Sequence, residues 1–494
     1  MPTPLDSLAF PNSEVVLAFV SPVGADLTSL EKALKDRLEL FNYCVNPIRL
    51  SSLLKQLKLD TQLIFSPEGE RLNSHMSAGN EVRKKADRGD SLALMAARAI
   101  GQERPLEQRV RARTAHVLLT LKHPAEVTAL RRIYGPGFFL IGVCATEEER
   151  RHYLESTKGI AKGIVDQLLQ RDEDEGDPLG QRTRDTFHLA DVFVSLGENK
   201  PLERFLDLVF GHPFHTPNPD EYAMYLAFGA SLRSGDLSRQ VGAVVVSAGG
   251  EVVATGANDV PCPKGGLYWE GADDERDHKK GYDANAHHSQ QIILDVMRRL
   301  RTDLAEKSNE EVLEEAKSLL GGSPRSRLLD ITEFGRAVHA EMEALLSCAR
   351  SGISPKGGTL YTTTFPCHNC AKHIVAAGIS RVVYLEPYPK SQASDLHSDA
   401  ILIANSSFAD IPDPNQKKVI FSPFEGIGPR RYFDLFSVGL SSGYEVVRKK
   451  QGSKYKIEWS RSTANLRVPM VPTAYFERED LAAREIVEET EEMQ

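Results

Sequence analysis

The order of apolar and polar positions divides the chain into two stretches of different rhythm. From Glu14 to Gly211, short apolar runs alternate with longer segments of helical spacing. Val15-Val-Leu-Ala-Phe-Val20 is continuous and apolar, as expected of a strand buried on both faces of a parallel sheet. Similar runs recur at 41–45, 116–121, 137–143 and 191–194, and the segments 124–134 and 147–169 between them read as helices. Strand and helix in alternation imply a parallel sheet with helices on both faces. The carboxylate run Arg171–Asp177 reads as a solvated turn. His212–Pro219, with three prolines, reads as a linker.

After the linker the rhythm changes. A helix is expected over 221–232, then strands over 240–246 and 251–255 joined by the turn-forming Ser247-Ala-Gly-Gly250 as a hairpin. Thr359–Phe365 is rich in β-branched and aromatic residues and reads as a strand. The stretch 262–338 is an insert with helices expected over 286–305 and 309–320. Arg478–Gln494 is acidic and mostly polar and reads as a frayed end or an exposed helix. The resulting plan has an α/β unit over 14–211, a second unit over 219–450 carrying the insert, and an extension over 451–494.

Composition narrows the class of protein. With 494 residues, two or three domains are the prior. Apolar content of 41% and charged content of 26% suit a globular chain, and no apolar run approaches the length of a membrane span. Met1-Pro-Thr-Pro-Leu-Asp6 has neither the basic nor the apolar region of a secretory signal, and the six cysteines are few and scattered. A cytoplasmic protein is therefore expected. A net charge of −9 argues against a partner such as duplex DNA.

Chemistry concentrates in two short stretches, His339-Ala-Glu341 and Pro366-Cys-His-Asn-Cys370. One imidazole and two thiolates (His339, Cys367, Cys370) are donors for Zn2+, and three protein ligands leave a tetrahedral ion one open position, as catalytic zinc does. Glu341, two residues past the imidazole, is free to shuttle protons. Cys367 and Cys370 share a helix face, and a helix start favours their thiolates. H-x-E…P-C-x-x-C is the signature of zinc nucleobase deaminases. His278, His287, His288 and Cys262 could suggest a second metal, but the preferred reading is an insert packed over the mouth of the active site or against a neighbouring subunit.

Further motifs carry a family resemblance. Arg233-Ser-Gly-Asp236-Leu-Ser-Arg-Gln240-Val-Gly-Ala243, Asn258-Asp-Val-Pro261 and Phe365-Pro-Cys-His-Asn-Cys-Ala-Lys372 resemble a deoxycytidylate deaminase. The resemblance implies a cytidine deaminase-like three-layer α/β/α domain. It further implies that Asn258 binds the deoxyribose 3′-hydroxyl, that Ala340 and Thr364 hold the base edge, and that Ser238 and Arg239 meet the phosphate. Asp259, where the family has Gly, and Glu343, where it has Asn, depart from the pattern.

The element order of the first half resembles a P-loop nucleotide kinase with its phosphate cradle lost. In Ser21-Pro-Val-Gly24-Ala-Asp26-Leu27-Thr28, Ser21 and Asp26 stand for the two glycines and Leu27 for the lysine, leaving only Thr28 in pattern. A parallel-sheet kinase-like domain without phosphotransferase activity is expected. With Pro387-Tyr-Pro-Lys390-Ser391 and Asp395-Leu-His397 the whole resembles the bacterial anti-phage dCTP/dCMP deaminases. That implies hydrolysis of free dCTP and dCMP to dUTP and dUMP as antiviral defence, Lys390 as a triphosphate contact, a homo-oligomer, and an RNA or small-protein inhibitor. The basic turn Gly428–Tyr432 is a further candidate for a phosphate tail. The alternatives are a base deaminase of ssDNA or tRNA, and a housekeeping dCMP deaminase supplying dUMP.

Overall fold

The computed structural model describes residues 10, 12–104, 110–321, 326–330, 334–386, 391–404, 417–441 and 443–491. Two six-stranded sheets organise them. The first is built from β1 (Val15–Val20), β2 (Cys44–Arg49), β3 (Thr114–Leu119), β4 (Phe138–Cys144) and β5 (Val192–Ser195). β1 lies parallel between β3 and β4, with β2 and β5 outside them. Alternate residues of β1 face opposite cores. Val16, Ala18 and Val20 pack with Val127, Leu130 and Ile133 of the helix Pro124–Tyr134. Val15, Leu17 and Phe19 pack with Leu30, Leu34 and Leu38 of the helix Thr28–Glu39. Helices therefore cover both faces, as the continuous apolar run of β1 requires.

The second sheet holds β6 (Gly242–Val246), β7 (Val252–Ala257), β8 (Thr359–Thr362), β9 (Arg381–Tyr384), β10 (Ile401–Ile403) and β11 (Val419–Pro423) in the order β10-β11-β9-β8-β6-β7. β6 and β7 form the expected hairpin, β6 is antiparallel to β8, and β8, β9, β11 and β10 run parallel. Ala223, Met224 and Ala227 of the helix Pro219–Ser231 pack with Val244 on one face. Ala340, Ala344 and Cys348 pack with Ala243 and Val245 on the other. The period of two along β6 thus makes the three layers.

The chain then returns to the first sheet. β12 (Gly426–Ile427) pairs antiparallel with β5, Gly426 opposite Phe193. Buried Glu221 accepts the Ile427 amide at 2.9 Å and the Arg204 guanidinium at 2.5 Å. Gly426 has φ +119°, and a Cβ there would lie 2.7 Å from Glu221 Oε1. The segment 219–450 therefore contributes to both sheets.

Four sequence expectations change. The strand expected at 41–45 begins at Cys44, because Phe41 and Tyr43 instead insert under the sheet edge against Phe210. The helix expected over 147–169 is broken, with Gly159 at φ +68°, and resumes as Lys162–Glu173. Arg171–Asp177 is no solvated turn: Asp172 is 1% exposed and holds Lys122 Nζ at 2.7 Å and the Val23 amide at 2.8 Å. The C-terminal end is not frayed over its described length. Pro472–Glu491 is a helix whose Tyr475, Phe476, Ala482 and Ile486 are buried, and Arg104 is clasped between Glu14 and its Glu479.

Candidate metal centre and its cavity

Two helix starts meet at one point. His339 is the N-cap of Ala340–Ser351, and Cys367 is the N-cap of His368–Ala376, its Sγ accepting from the Cys370 amide. The first helix can approach the sheet closely because β7 carries Gly256, where a Cβ would lie 2.1 Å from the Ala340 carbonyl. That contact fixes the height of His339 above the sheet. The strand β8 supplies the turn that brings Cys367 opposite.

His339 Nδ1 lies 3.3 Å from both Cys367 Sγ and Cys370 Sγ. The three donor atoms lie within 4.8 Å of one another, and they form the one such His/Cys/Asp/Glu group among the described residues. One nitrogen and two sulfurs at two positive helix ends suit a borderline-soft divalent ion such as zinc. Among the described residues, no fourth His, Cys, Asp or Glu donor closes the group, and the insert histidines form no second one: His278 sits 3.4 Å from Asp274, and His287 packs its ring against Tyr282.

The electrostatics divide the two thiols. A hydrogen bond from Cys370, with a further contact to His339, holds Cys367 down to about 3, as a thiolate. Cys370 is pushed well above the ordinary thiol range by its bond to Cys367 and by burial. The Cys367 contact raises His339. Burial pushes Glu341 above the ordinary carboxylate value. Glu341 is 3% exposed, and its Oε2 accepts from Cys370 Sγ at 3.4 Å. It therefore stands beside the donor group without belonging to it.

A cavity of about 410 Å3 opens over this centre, lined by Asn258, Ser238, Arg239, Ala340, Glu341 and Thr364 among others. The site residues expected from sequence in the second half are thus brought together, except the basic turn at 428–432 and Lys390, which lies outside the described residues. Their bonding refines the expectation. Asn258 Oδ1 accepts the Val241 amide at 2.6 Å and its Nδ2 donates to the Arg239 carbonyl at 2.7 Å, so the side chain also staples the loop that carries Arg239. Ser238 donates to Asp236 Oδ1 at 2.8 Å. Arg239 Nη2 meets Glu386 Oε2 at 3.0 Å while remaining half exposed. Ser21, Gly24, Asp26 and Thr28 line a separate cavity in the first half.

Sequence reasoning missed Glu386, whereas the insert packs at the mouth of the site, the first of the two placements expected for it. Asp277, Asp283, Asn285 and Arg336 line the same cavity, with Arg336 Nη1 2.6 Å from Asp277. One signal was available: Asp259, the departure from the family pattern, is 1% exposed and receives Arg276 of the insert at 3.3 Å. The carboxylate at 259 and the insert come together as a pair. Glu343, the other departure, pairs with Arg350 on its own helix. The basic turn at 428–432 does not reach the cavity: Arg431 is buried over Phe139, bonded to Asp191 and Asp434.

Residues 217–386 match the sequence profile of the cytidine and deoxycytidylate deaminase zinc-binding region. The probable deoxycytidylate deaminase of Drosophila melanogaster is 31% identical over 188 residues, covering 37% of this chain and 68% of that protein. The chain belongs to this deaminase family. His339, Cys367 and Cys370 are the zinc-ligand group of its zinc-binding region. The deoxycytidylate deaminase of Enterobacteria phage T4 is 38% identical over 82 residues, 17% of this chain and 42% of that one. The chain thus spans less than half the length of that relative. The apo crystal structure of the dCMP deaminase from cyanophage S-TIM5 aligns with 42% of this chain and 100% of that chain, at 18% identity and a TM-score of 0.23. Among the described residues, no helix is long and apolar enough to cross a membrane.

Proposed function

We propose that this deaminase-family chain hydrolytically deaminates free deoxycytidine nucleotides, dCTP and dCMP, to dUTP and dUMP. The observation that carries the reading is Glu341: a buried carboxyl of raised pKa, 3.4 Å from a zinc-ligating sulfur, at the floor of a cavity of nucleotide size. His339, Cys367 and Cys370 would hold the zinc, which supplies the Lewis acidity that makes water nucleophilic near neutral pH. Glu341 accepts a proton from the attacking water and passes it to ring N3, then serves the leaving amine. Water adds to C4, the C4–N bond breaks, and ammonia leaves a uracil. The elevated Glu341 pKa suits a group that must both take and give a proton.

Ala340 and Thr364 border the cavity where a base edge would lie, and Asn258, in the same lining, would meet a sugar hydroxyl by the family resemblance. Ser238 and Arg239 take the phosphate end. Arg239 is half exposed although its partner Glu386 is buried, so a phosphate can reach the guanidinium from the open side. Lys390 extends this reading to a triphosphate. Drainage of the dC pool during phage infection, a homo-oligomer, a cytoplasmic setting and an RNA or small-protein inhibitor rest on the resemblance of the sequence to anti-phage deaminases. The first half, by the same resemblance, is a kinase-like unit without phosphotransfer.

The test is chromatographic. The zinc-loaded chain is incubated with dCTP, dCMP, CTP, CMP and a cytosine-bearing single-stranded oligonucleotide, with Glu341→Ala as control. Deoxyuridine nucleotides should accumulate with the native chain alone. Uracil in the oligonucleotide and none in the free nucleotides would transfer the assignment to a polynucleotide substrate.

A further inference from the structure

The insert walls the zinc cavity, and one of its contacts there bears on the substrate. Among the described residues that line the cavity, Arg239 and Arg336 alone carry a permanent positive charge. The carboxylates Asp236, Asp277, Asp283 and Glu386 line it too. A phosphate entering such a cavity is steered to the two guanidiniums, because the other charged walls repel it.

The fold ties the two arginines together. Buried Asp259 accepts the Gly235 amide at 3.1 Å with the same Oδ2 that receives Arg276 at 3.3 Å. Gly235 lies directly on Arg276, since a Cβ there would stand 2.7 Å from its Nη1. Arg239 is on the loop that begins at Gly235, and Asp277 follows Arg276. Asp277 holds Arg336 Nη1 at 2.6 Å, and Arg336 Nη2 donates to the Glu275 carbonyl at 3.1 Å. Two residues later, Val338 exchanges both backbone hydrogen bonds with Asp259, at 2.9 and 3.3 Å, just before the zinc ligand His339. Arg336 is thus held at its head by the insert and pinned along its backbone beside the metal centre.

We infer that Arg336 is the contact for substrate phosphates beyond the first, and that Asp277 is its positioning residue. This rests on the free-nucleotide reading above and refines it. Arg239 takes the phosphate next to the sugar, and the insert supplies the second cation that a triphosphate needs. The bonds to Asp277 and Glu275 use one hydrogen at each end of the guanidinium fork, which has others to give, and the side chain is partly exposed where it lines the cavity. A fork already fixed by the protein loses little freedom when it meets a phosphate. The carboxylate at 259 then has a reason to accompany the insert: through Arg276 it sets where Asp277, and hence Arg336, stands.

Calorimetry with dCMP and dCTP tests this on the zinc-loaded full chain carrying Glu341→Ala, so that the ligands are not turned over. Both should bind. Adding Arg336→Ala should weaken dCTP about tenfold more than dCMP, the worth of one hydrogen bond between charged groups. Arg336→Lys should recover part of that loss, and serves where Arg336→Ala does not fold. Asp277→Ala should weaken dCTP only while Arg336 is present, and Asp277→Asn, which still accepts from Nη1, should restore it. The inference is overturned if Arg336→Ala weakens dCMP and dCTP by the same factor, as a merely structural arginine would, or leaves both as they were. It is overturned if Asp277→Ala costs as much without Arg336 as with it, or if dCMP binds and dCTP does not, which leaves deamination of dCMP standing. A cytosine-bearing single-stranded oligonucleotide that binds more tightly than dCTP, and loses more on Arg336→Ala, also overturns it. Failure of both free nucleotides to bind while Arg336 is intact would instead remove the free-nucleotide reading, and this inference with it.

Discussion

Asp26 in the first half and Glu341 in the second are both carboxylates at the start of a helix above a sheet, and both border a cavity of about 400 Å3. Their states are opposite. The Thr28 hydroxyl beside Asp26 holds its carboxyl below the ordinary range. Burial, with the Cys367 sulfur nearby, pushes Glu341 above it. A partly exposed carboxylate held by hydrogen-bond donors stays a structural anion, whereas one buried beyond what its donors offset is pushed towards a proton carrier. The depth of burial separates the two carboxylates.

The sharpest way to break this comparison is to make Glu341 unable to ionise. Glu341→Gln keeps the shape and leaves the three zinc ligands in place. Turnover of dCMP should fall by about a hundredfold to ten-thousandfold, the range for loss of a positioned acid–base group. Zinc content, read by atomic absorption, should stay at the native level. Near-native turnover in that variant would make Glu341 as structural as Asp26.

Next in size is the link between the insert and the second sheet. Asp259 is buried against Arg276, which also holds Asp274 at 2.8 Å. Asp259→Ala leaves the guanidinium one partner short and should cost roughly 2 kcal/mol, below the full penalty of an orphaned buried charge because Asp274 remains. Urea unfolding of the second half measures it. Asp277, Asp283 and Asn285 line the zinc cavity from the same insert, so KM for dCMP should rise with the loss of stability.

A smaller effect follows from pH. Burial works to raise Glu14, but its contacts with His116 and Arg104 prevail and hold it below the ordinary value. A depressed carboxyl contributes stability above its unfolded pKa and loses it as pH falls through its folded one. The C-terminal helix is clasped through this same Arg104. Thermal unfolding followed from neutral pH downward should therefore show the first half weakening in acid. Arg104→Ala should lessen that slope, since it removes one of the two partners that depress Glu14 and leaves His116.

Much of this was legible in the sequence, for physical reasons that differ by element. Val15–Val20 and Pro124–Tyr134 match their expected bounds because each pattern is unbroken and the helix has a proline at its start. The metal ligands were legible because their chemistry admits few alternatives: an imidazole and two sulfurs at helix starts. Asp172 was not legible, because a run of carboxylates looks solvated unless one knows that Lys122 and the Val23 amide arrive from elsewhere. Glu386 and Arg336 were hidden for the same reason, since only the fold brings them to Arg239 and Asp277. The C-terminal helix reads as polar because its buried residues are spaced among charges, and only its packing on the helix Ser91–Gln102 reveals the stripe.

The smallest effect concerns Asp26 itself. Its carboxylate takes the amide and hydroxyl of Thr28 at the start of Thr28–Glu39, where the N-cap residue Leu27 has no side chain to do so. Asp26→Ala returns the Thr28 amide to solvent and should destabilise the first half by about 1 kcal/mol, as loss of a capping side chain does. It should not create ATP binding or phosphate transfer: Leu27 still supplies no cation, and Lys122 and the Val23 amide stay committed to Asp172. Thermal unfolding in the presence and absence of ATP reads both effects. A midpoint that drops without ATP and recovers fully with it would show that one carboxylate alone had closed the phosphate site, and that the two halves stand one substitution apart rather than several.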